Sequence, residues 1–321
     1  MNCIHAIHKV TTSMNPFGMS VGLRRLAAML LVAIPLVSGA AEQQRFATPE
    51  AAVDALAAAL KANDEAALLA IFGDKHKDLV ISGDRASDTA NRARIAAEIA
   101  TFRALQERGN DRRVLLLGAQ AWPMPIPLVR DGNAWRFDTE VGAEEIINRR
   151  IGGNERNAIH VMRAYLDAQR AYAAVDRDGD GVRQFAGKIA STPGKFDGLY
   201  WPADAAKGEE MSPFGPLLAE SAADTPGRKQ GDPYRGYHFR ILTRQGKSAP
   251  GGAYSYIING RMIAGFAMVA YPDEYGVSGV MTFIVNHNGK VYEKDLGKHS
   301  KSVGAQMTSF DPTAGWKEVA P

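Results

Sequence analysis

Two asparagine-glycine pairs, Asn259-Gly260 and Asn288-Gly289, each sit between runs of apolar and β-branched residues. Both residue types tolerate the positive φ angles of a tight type I′ turn, so each pair predicts an antiparallel hairpin. The first would join strands over 254–258 and 261–270, the second strands over 280–285 and 290–294, and another strand-like run covers 237–243. Hairpins place sequence neighbours side by side, so an antiparallel meander of about five strands is expected. Such a sheet is expected to bury one face against a helix. Over 155–175, Ile159, Met162, Leu166 and Ala173 form an apolar stripe at helical spacing, flanked by Tyr165 and Tyr172. Asn154 is its expected cap, and Gly152-Gly153 is expected to separate it from a shorter helix over 144–151.

The first half changes period midway. Thr48 reads as an N-cap and Pro49 as a first helical residue, with Val53, Leu56 and Leu60 on one face. Asn63-Asp64 breaks that helix, and a second over 65–72 turns Leu68, Leu69 and Phe72 inward. Ile95, Ile99, Phe102 and Leu105 mark a third. Then 113–117 reads as a strand. Pro123, Pro125 and Pro127 follow on alternate positions of the run Trp122 to Leu128. Alternate prolines remove donors from one edge only, so this run predicts a protected edge strand; the alternative is a polyproline ligand. Asp131-Gly132 turns the chain into a strand over 134–137. The fold class is therefore α+β. An N-terminal unit of helices plus a small antiparallel sheet is expected over 45–150, and a long helix packed on the meander over 154–321.

Residues 19–41 carry Arg24 and Arg25, an apolar run from Leu26 to Val37, and small residues at Ser38-Gly39-Ala40. That order reads as a secretory signal peptide, with residues 1–18 as an upstream extension from a mis-chosen start. The protein is thus expected in the periplasm or secreted, with no membrane span after cleavage. The chain has 38 basic and 35 acidic side chains; without Lys9, Arg24 and Arg25, the charges of residues 1–40, the two counts are equal at 35 each. A basic footprint for nucleic acid is not expected. Cys3 is the sole cysteine and lies before the expected cleavage point, which excludes disulfides, thiolate metal sites and a cysteine nucleophile from the mature chain.

The stretches FATPEAAVDALAAALKANDEAALLAIFG, WPMPIPLVRDGNAWRFDTEVGAEEIINRRIGGNE, AYLDAQRAYAAVDRDGDGV, STPGKFDGLYWP and NGRMIAGFAMVAYPDEYGVSGVMTFIVNHNGKVYEKDLG resemble a family of exported bacterial proteins, domain-of-unknown-function family 2950. The resemblance implies an envelope protein and assigns no activity. The C-terminal half, a long helix with Tyr and Ala, a glycine-rich loop and a sheet ending near NHNGKVYEKDLG, is similar to type II secretion pseudopilin headgroups. The apolar leader is far from that helix and the pilin processing signature is missing, so the similarity does not imply filament assembly. The first half looks like a nuclear-transport-factor-like cone.

One motif carries metal chemistry. Asp176-Arg177-Asp178-Gly179-Asp180-Gly181 places carboxylates at positions 1, 3 and 5 of a calcium loop and glycine at 6. Position 12 falls on Gly187, where such loops use a bidentate Glu. Calcium at Asp176, Asp178 and Asp180 is therefore expected to be weak; the alternative is a solvated acidic loop. His76, His160, His238, His287 and His299 show no zinc spacing. Gly276-Val277-Ser278-Gly279 is one residue short of a nucleophile elbow. Tyr200 and Trp201, in the loop Gly194 to Pro202, form a candidate recognition surface, set against a loop packed under its own aromatics. The leading expectation is a non-catalytic envelope module that binds a partner protein or small ligand. The alternatives are a periplasmic hydrolase with a carboxylate or Ser site, and a binder of small apolar molecules between Trp122 and Trp135 in the N-terminal unit.

Overall fold

Thr48 accepts the Ala51 N–H at 3.1 Å and opens helix α1, Pro49–Ala62. Asn63 takes a left-handed φ of 51° and ends it. Asp64 then accepts the Ala67 N–H at 3.0 Å and opens α2, Glu65–Phe72. Asp84 caps α3, Arg85–Thr101, in the same way. The structure is a computed structural model and describes residues 42–215 and 231–320. The expected leader over 1–41 and Cys3 lie outside the described residues.

Helix α3 is shorter than its periodicity suggests. Phe102 is extended, and Leu105 lies in strand β1, Arg103–Glu107, opposite Leu115 of β2, Arg112–Leu117. Helical spacing persists through Leu105 in sequence, but ladder pairing along all of β1 decides its state. The proline run is also corrected. Trp122–Pro123 forms β3 on β2, and the Met124 N–H still donates to Leu115 O at 2.7 Å. The chain then bends at Pro125-Ile126, and β4, Leu128–Asp131, pairs both β2 and β5, Ala134–Phe137. The prolines break the ladder rather than guard an edge, and the bend drives Ile126 into the core at 5 % exposure.

Helix α4, Thr139–Ala173, has 35 residues and runs straight through Gly152-Gly153. At 1.5 Å per residue it is about 50 Å long. A glycine in a helix interior costs about 1 kcal/mol relative to alanine. Tertiary bonds beside the pair offset that cost. Asn154, expected as a cap, donates to Ser278 O at 2.8 Å, and Glu155 Oε1 accepts the Val280 and Met281 N–H groups at 3.0 Å each. A β-carbon on Gly153 would meet nothing within 4 Å. Gly153→Ala is therefore expected to raise stability by about 0.5–1 kcal/mol, read by urea denaturation. A loss of stability would mean that the helix needs this glycine.

The C-terminal half follows as β6, Tyr237–Leu242; β7, Arg244–Gln245; β8, Tyr254–Ser255; β9, Ile257–Ile258; β10, Arg261–Met262; β11, Ala267–Pro272; β12, Met281–Asn286; and β13, Val291–Asp295. Helix α5, Ser300–Gln306, then β14, Ser309–Phe310, and β15, Lys317–Glu318, close the chain. Five strands form one antiparallel sheet in the order β15-β13-β12-β11-β6. Asn259 and Gly260 have φ of 51° and 81°, as a type I′ hairpin requires, although β9 and β10 share only two residue pairs. The second turn is longer than expected. Val285 and Val291 form the last pair, and only Gly289 of the intervening residues has positive φ. Asn286 is committed to the interior at 1 % exposure, which leaves its neighbours to make the turn.

Two hydrophobic clusters result. Leu56, Leu68, Ile71, Leu115, Leu128 and Phe137 anchor the N-terminal one. Met162, Tyr165, Met268, Phe283 and Ile284 anchor the one between α4 and the large sheet. Burial of this sheet is not one-sided, since every residue of β11 is buried. Helix α4 packs on β11, and so does α5, where Gly304 lies against the Tyr271 ring. The described residues fall within a single compact unit, so the two clusters belong to that unit.

Candidate functional site

The acidic loop begins where α4 ends. The Asp176 carboxylate accepts the N–H groups of Gly179 at 2.9 Å and Gly181 at 2.8 Å. Those bonds, the Gly181 bond foremost, hold its pKa below the usual carboxylate range. Gly179 and Gly181 have φ of 72° and 83°, where a side chain would be strained. Asp178 Oδ2 accepts from Gln184 Nε2 at 2.8 Å. Asp180 Oδ1 accepts the Val182 N–H at 2.9 Å, while its second oxygen pairs with Arg261 of β10. One oxygen from each of Asp176, Asp178 and Asp180 lies within 4.8 Å of the others. The loop thus gathers hard oxygen atoms at the spacing a divalent cation can bridge, with Arg261 as the cation now beside them.

Position 12 is Gly187, which has no side chain to offer; the chain touches the core just before it, at Ala186. Phe185 N–H donates to Met262 O at 2.8 Å. The buried Gln169 amide holds both sides of Ala186, donating to its carbonyl at 2.9 Å and accepting its N–H at 2.8 Å. Gln169 and Arg261 are the residues that sequence reading missed. Gln169 lies within the expected helical stripe, where a polar residue signals a buried partner, but nothing in sequence tells which one.

Arg177 points away from the carboxylates. Its guanidinium lies between the Tyr172 ring at 5.0 Å and the Trp201 ring at 4.9 Å and pairs with Glu210 at 2.8 Å. Trp201 is only 5 % exposed, and its indole N–H donates to Glu210 O at 2.8 Å. It belongs to the packing of its own loop and does not face solvent as a recognition surface would. Tyr200 is half-buried, and its backbone is tied to Ile189 and Ser191. The outward aromatic is Phe196, 49 % exposed, edge-on to Trp201. In the same loop Asp197 is held at a pKa of about 2 by Lys188, then by the Thr192 N–H.

The remaining candidates are also placed. Trp135 is buried under Arg113 and Arg130, at 5.3 and 5.1 Å. Trp122 is exposed and covered by Arg149 at 4.9 Å. Each indole thus stacks on a guanidinium rather than serving as a bare cavity wall. His238 bonds Asp273 at 2.8 Å, and Lys301 shares that carboxylate at 2.6 Å. His76 bonds Glu140 at 3.1 Å. Ser278 Oγ donates to the Glu274 carbonyl at 3.1 Å rather than to a histidine.

Residues 43–319 match the family described as Protein of unknown function (DUF2950), and the chain belongs to that family. No curated protein and no solved structure matches the chain, so the likeness to pseudopilin headgroups gains no support.

Proposed function

We propose that this member of DUF2950 is an exported module of the cell envelope. In this reading it binds a partner protein or small ligand without catalysis, and a calcium ion at Asp176, Asp178 and Asp180 stabilises it. The observation that carries the calcium part is the convergence of those carboxylates on a loop whose glycines and backbone donors fix its shape. The leader read from residues 19–41 supports export. A binding role is favoured by how the titratable groups are engaged. Raised pKa values fall on tyrosines, foremost the buried Tyr165 and Tyr237, and on the ion-paired Lys290 and Lys301, and lowered carboxylates such as Asp197 and Asp273 are held by lysines. A catalytic acid or base is instead poised toward a substrate, with its proton free to move.

Without a twelfth-position carboxylate, and with Arg261 competing for Asp180, affinity is expected in the range of about 10⁻⁴–10⁻³ M, that of extracellular modules. Calcium at about tenfold over that constant adds about 1.4 kcal/mol. For a chain of this size that is a rise in Tm of about 3–6 °C over the chelated protein. Asp178→Asn is expected to remove this increment and leave the chelated protein unchanged. Equal Tm with calcium and with chelator would refute the site.

A further inference from the structure

His287 follows β12, and its ring enters a slot walled by aromatics. Tyr256 lies edge-on at 5.5 Å and Phe266 at 6.1 Å. Tyr256 and Phe266 are themselves 0 % and 1 % exposed. The ring Nδ1 is buried and makes no hydrogen bond. Gly265, at φ 146°, lies against it so closely that a β-carbon there would stand 2.6 Å from Nδ1. The other nitrogen, Nε2, is 3.5 Å from the Tyr254 hydroxyl. The backbone N–H of His287 donates to Phe266 O at 3.0 Å. One histidine thus fastens the turn after β12 to the segment that carries the β9–β10 hairpin.

We propose that His287 is an acid-sensitive latch: neutral, its ring fills the slot and holds the segment 254–266 on the sheet, and protonated, it leaves the slot and releases that segment. A neutral imidazole carries one N–H donor and leaves the other nitrogen as an acceptor. An imidazolium carries N–H on both nitrogens, and the Nδ1–H, buried against Gly265, would add a donor where the structure makes no hydrogen bond. Burial opposes the charged ring, and among the groups that face it the Phe266 backbone, which favours the charge, offsets that only in part. From the stretch 254–256 come the Tyr254 hydroxyl and the Tyr256 ring. From the hairpin exit come Gly265 and Phe266. The Tyr256 hydroxyl donates to Gln245 Oε1 at 3.0 Å, and Asn286 Nδ2 donates to the same oxygen at 3.4 Å. All of these are uncharged at neutral pH, and among the described residues no ion pair includes His287.

Burial accordingly holds the His287 pKa below its ordinary 6.5. A histidine with a depressed folded pKa contributes its stabilisation fully above the unfolded value. The contribution is lost as pH falls below 6.5 toward the folded value. Release would uncover Tyr256 and Phe266 beside Ile257, Ile258 and Ile263, which are already exposed on the hairpin. The latch is independent of the calcium reading, since it uses none of the acidic-loop residues.

Hydrogen exchange of the mature protein at about pH 7.5 and about pH 5, corrected for intrinsic rates, tests the latch. Exchange over 254–266 and 286–290 is expected to rise on the order of tenfold in acid, and His287→Gln is expected to lose that response. An acid response of equal size in His287→Gln, or none in the native protein, would overturn the proposal. Should His287→Gln fail to fold, ring-nitrogen NMR of the native protein decides. Titration below 6.5, with the segment opening in step, supports the latch, and titration at or above 6.5 overturns it.

Discussion

Gln169→Leu is expected to destabilise the protein by about 2–4 kcal/mol, because it orphans the N–H and C=O of Ala186 together. Ala186 is 1 % exposed and Gln169 0 %, so water does not replace the lost bonds without opening the core. Leucine keeps much of the side-chain volume, so the loss would report polar pairing rather than a cavity. Tyr165 also loses the Gln169 donor but keeps its own bond to Ala267 O at 3.1 Å. At about 2–4 °C per kcal/mol, Tm should fall on the order of 5–10 °C. Because Ala186 is where the acidic loop rejoins the core, the calcium increment should shrink as well. An unchanged Tm would show that Gln169 does not anchor the loop.

Gly142→Val is expected to cost about 3 kcal/mol, through the N-terminal cluster. Gly142 is buried on α4, and a β-carbon there would stand 2.5 Å from Ile126 Cγ1 and 2.9 Å from Ile126 Cα. Rotating the Ile126 side chain relieves only the first contact. The second is with backbone, and that backbone is held between Pro125 and Pro127, whose rings fix φ. Urea denaturation reads the loss. Combining Gly142→Val with Ile126→Ala should recover part of it, so the two effects should not add. A neutral Gly142→Val would contradict the close approach of α4 to the proline segment.

These positions show what the sequence discloses. The Thr48 cap, the Asn259-Gly260 turn and the Ile159–Met162–Leu166 stripe are legible because each depends on residues within one turn or one helix face. Gly152-Gly153 misleads because the bonds that keep the helix whole, from Asn154 and Glu155, reach residues 278–281, far along the chain. Leu105 misleads because a strand partner, not its own periodicity, fixes its state. The carboxylates of the acidic loop are legible, since their spacing is local. Arg261 beside Asp180, Gln169 beside Ala186 and Arg177 against Trp201 are not, because each is a contact between separate segments. His287 is not legible either, because Tyr256 and Phe266, which wall its ring, come from another segment.

Native mass spectrometry of the protein, held in calcium near the millimolar range expected of such a site, tests the proposed calcium site most directly. The native protein should carry the mass of one calcium ion, which a chelator removes and which Asp178→Asn fails to hold. A bare mass in the presence of calcium, or an ion retained by Asp178→Asn, would contradict it.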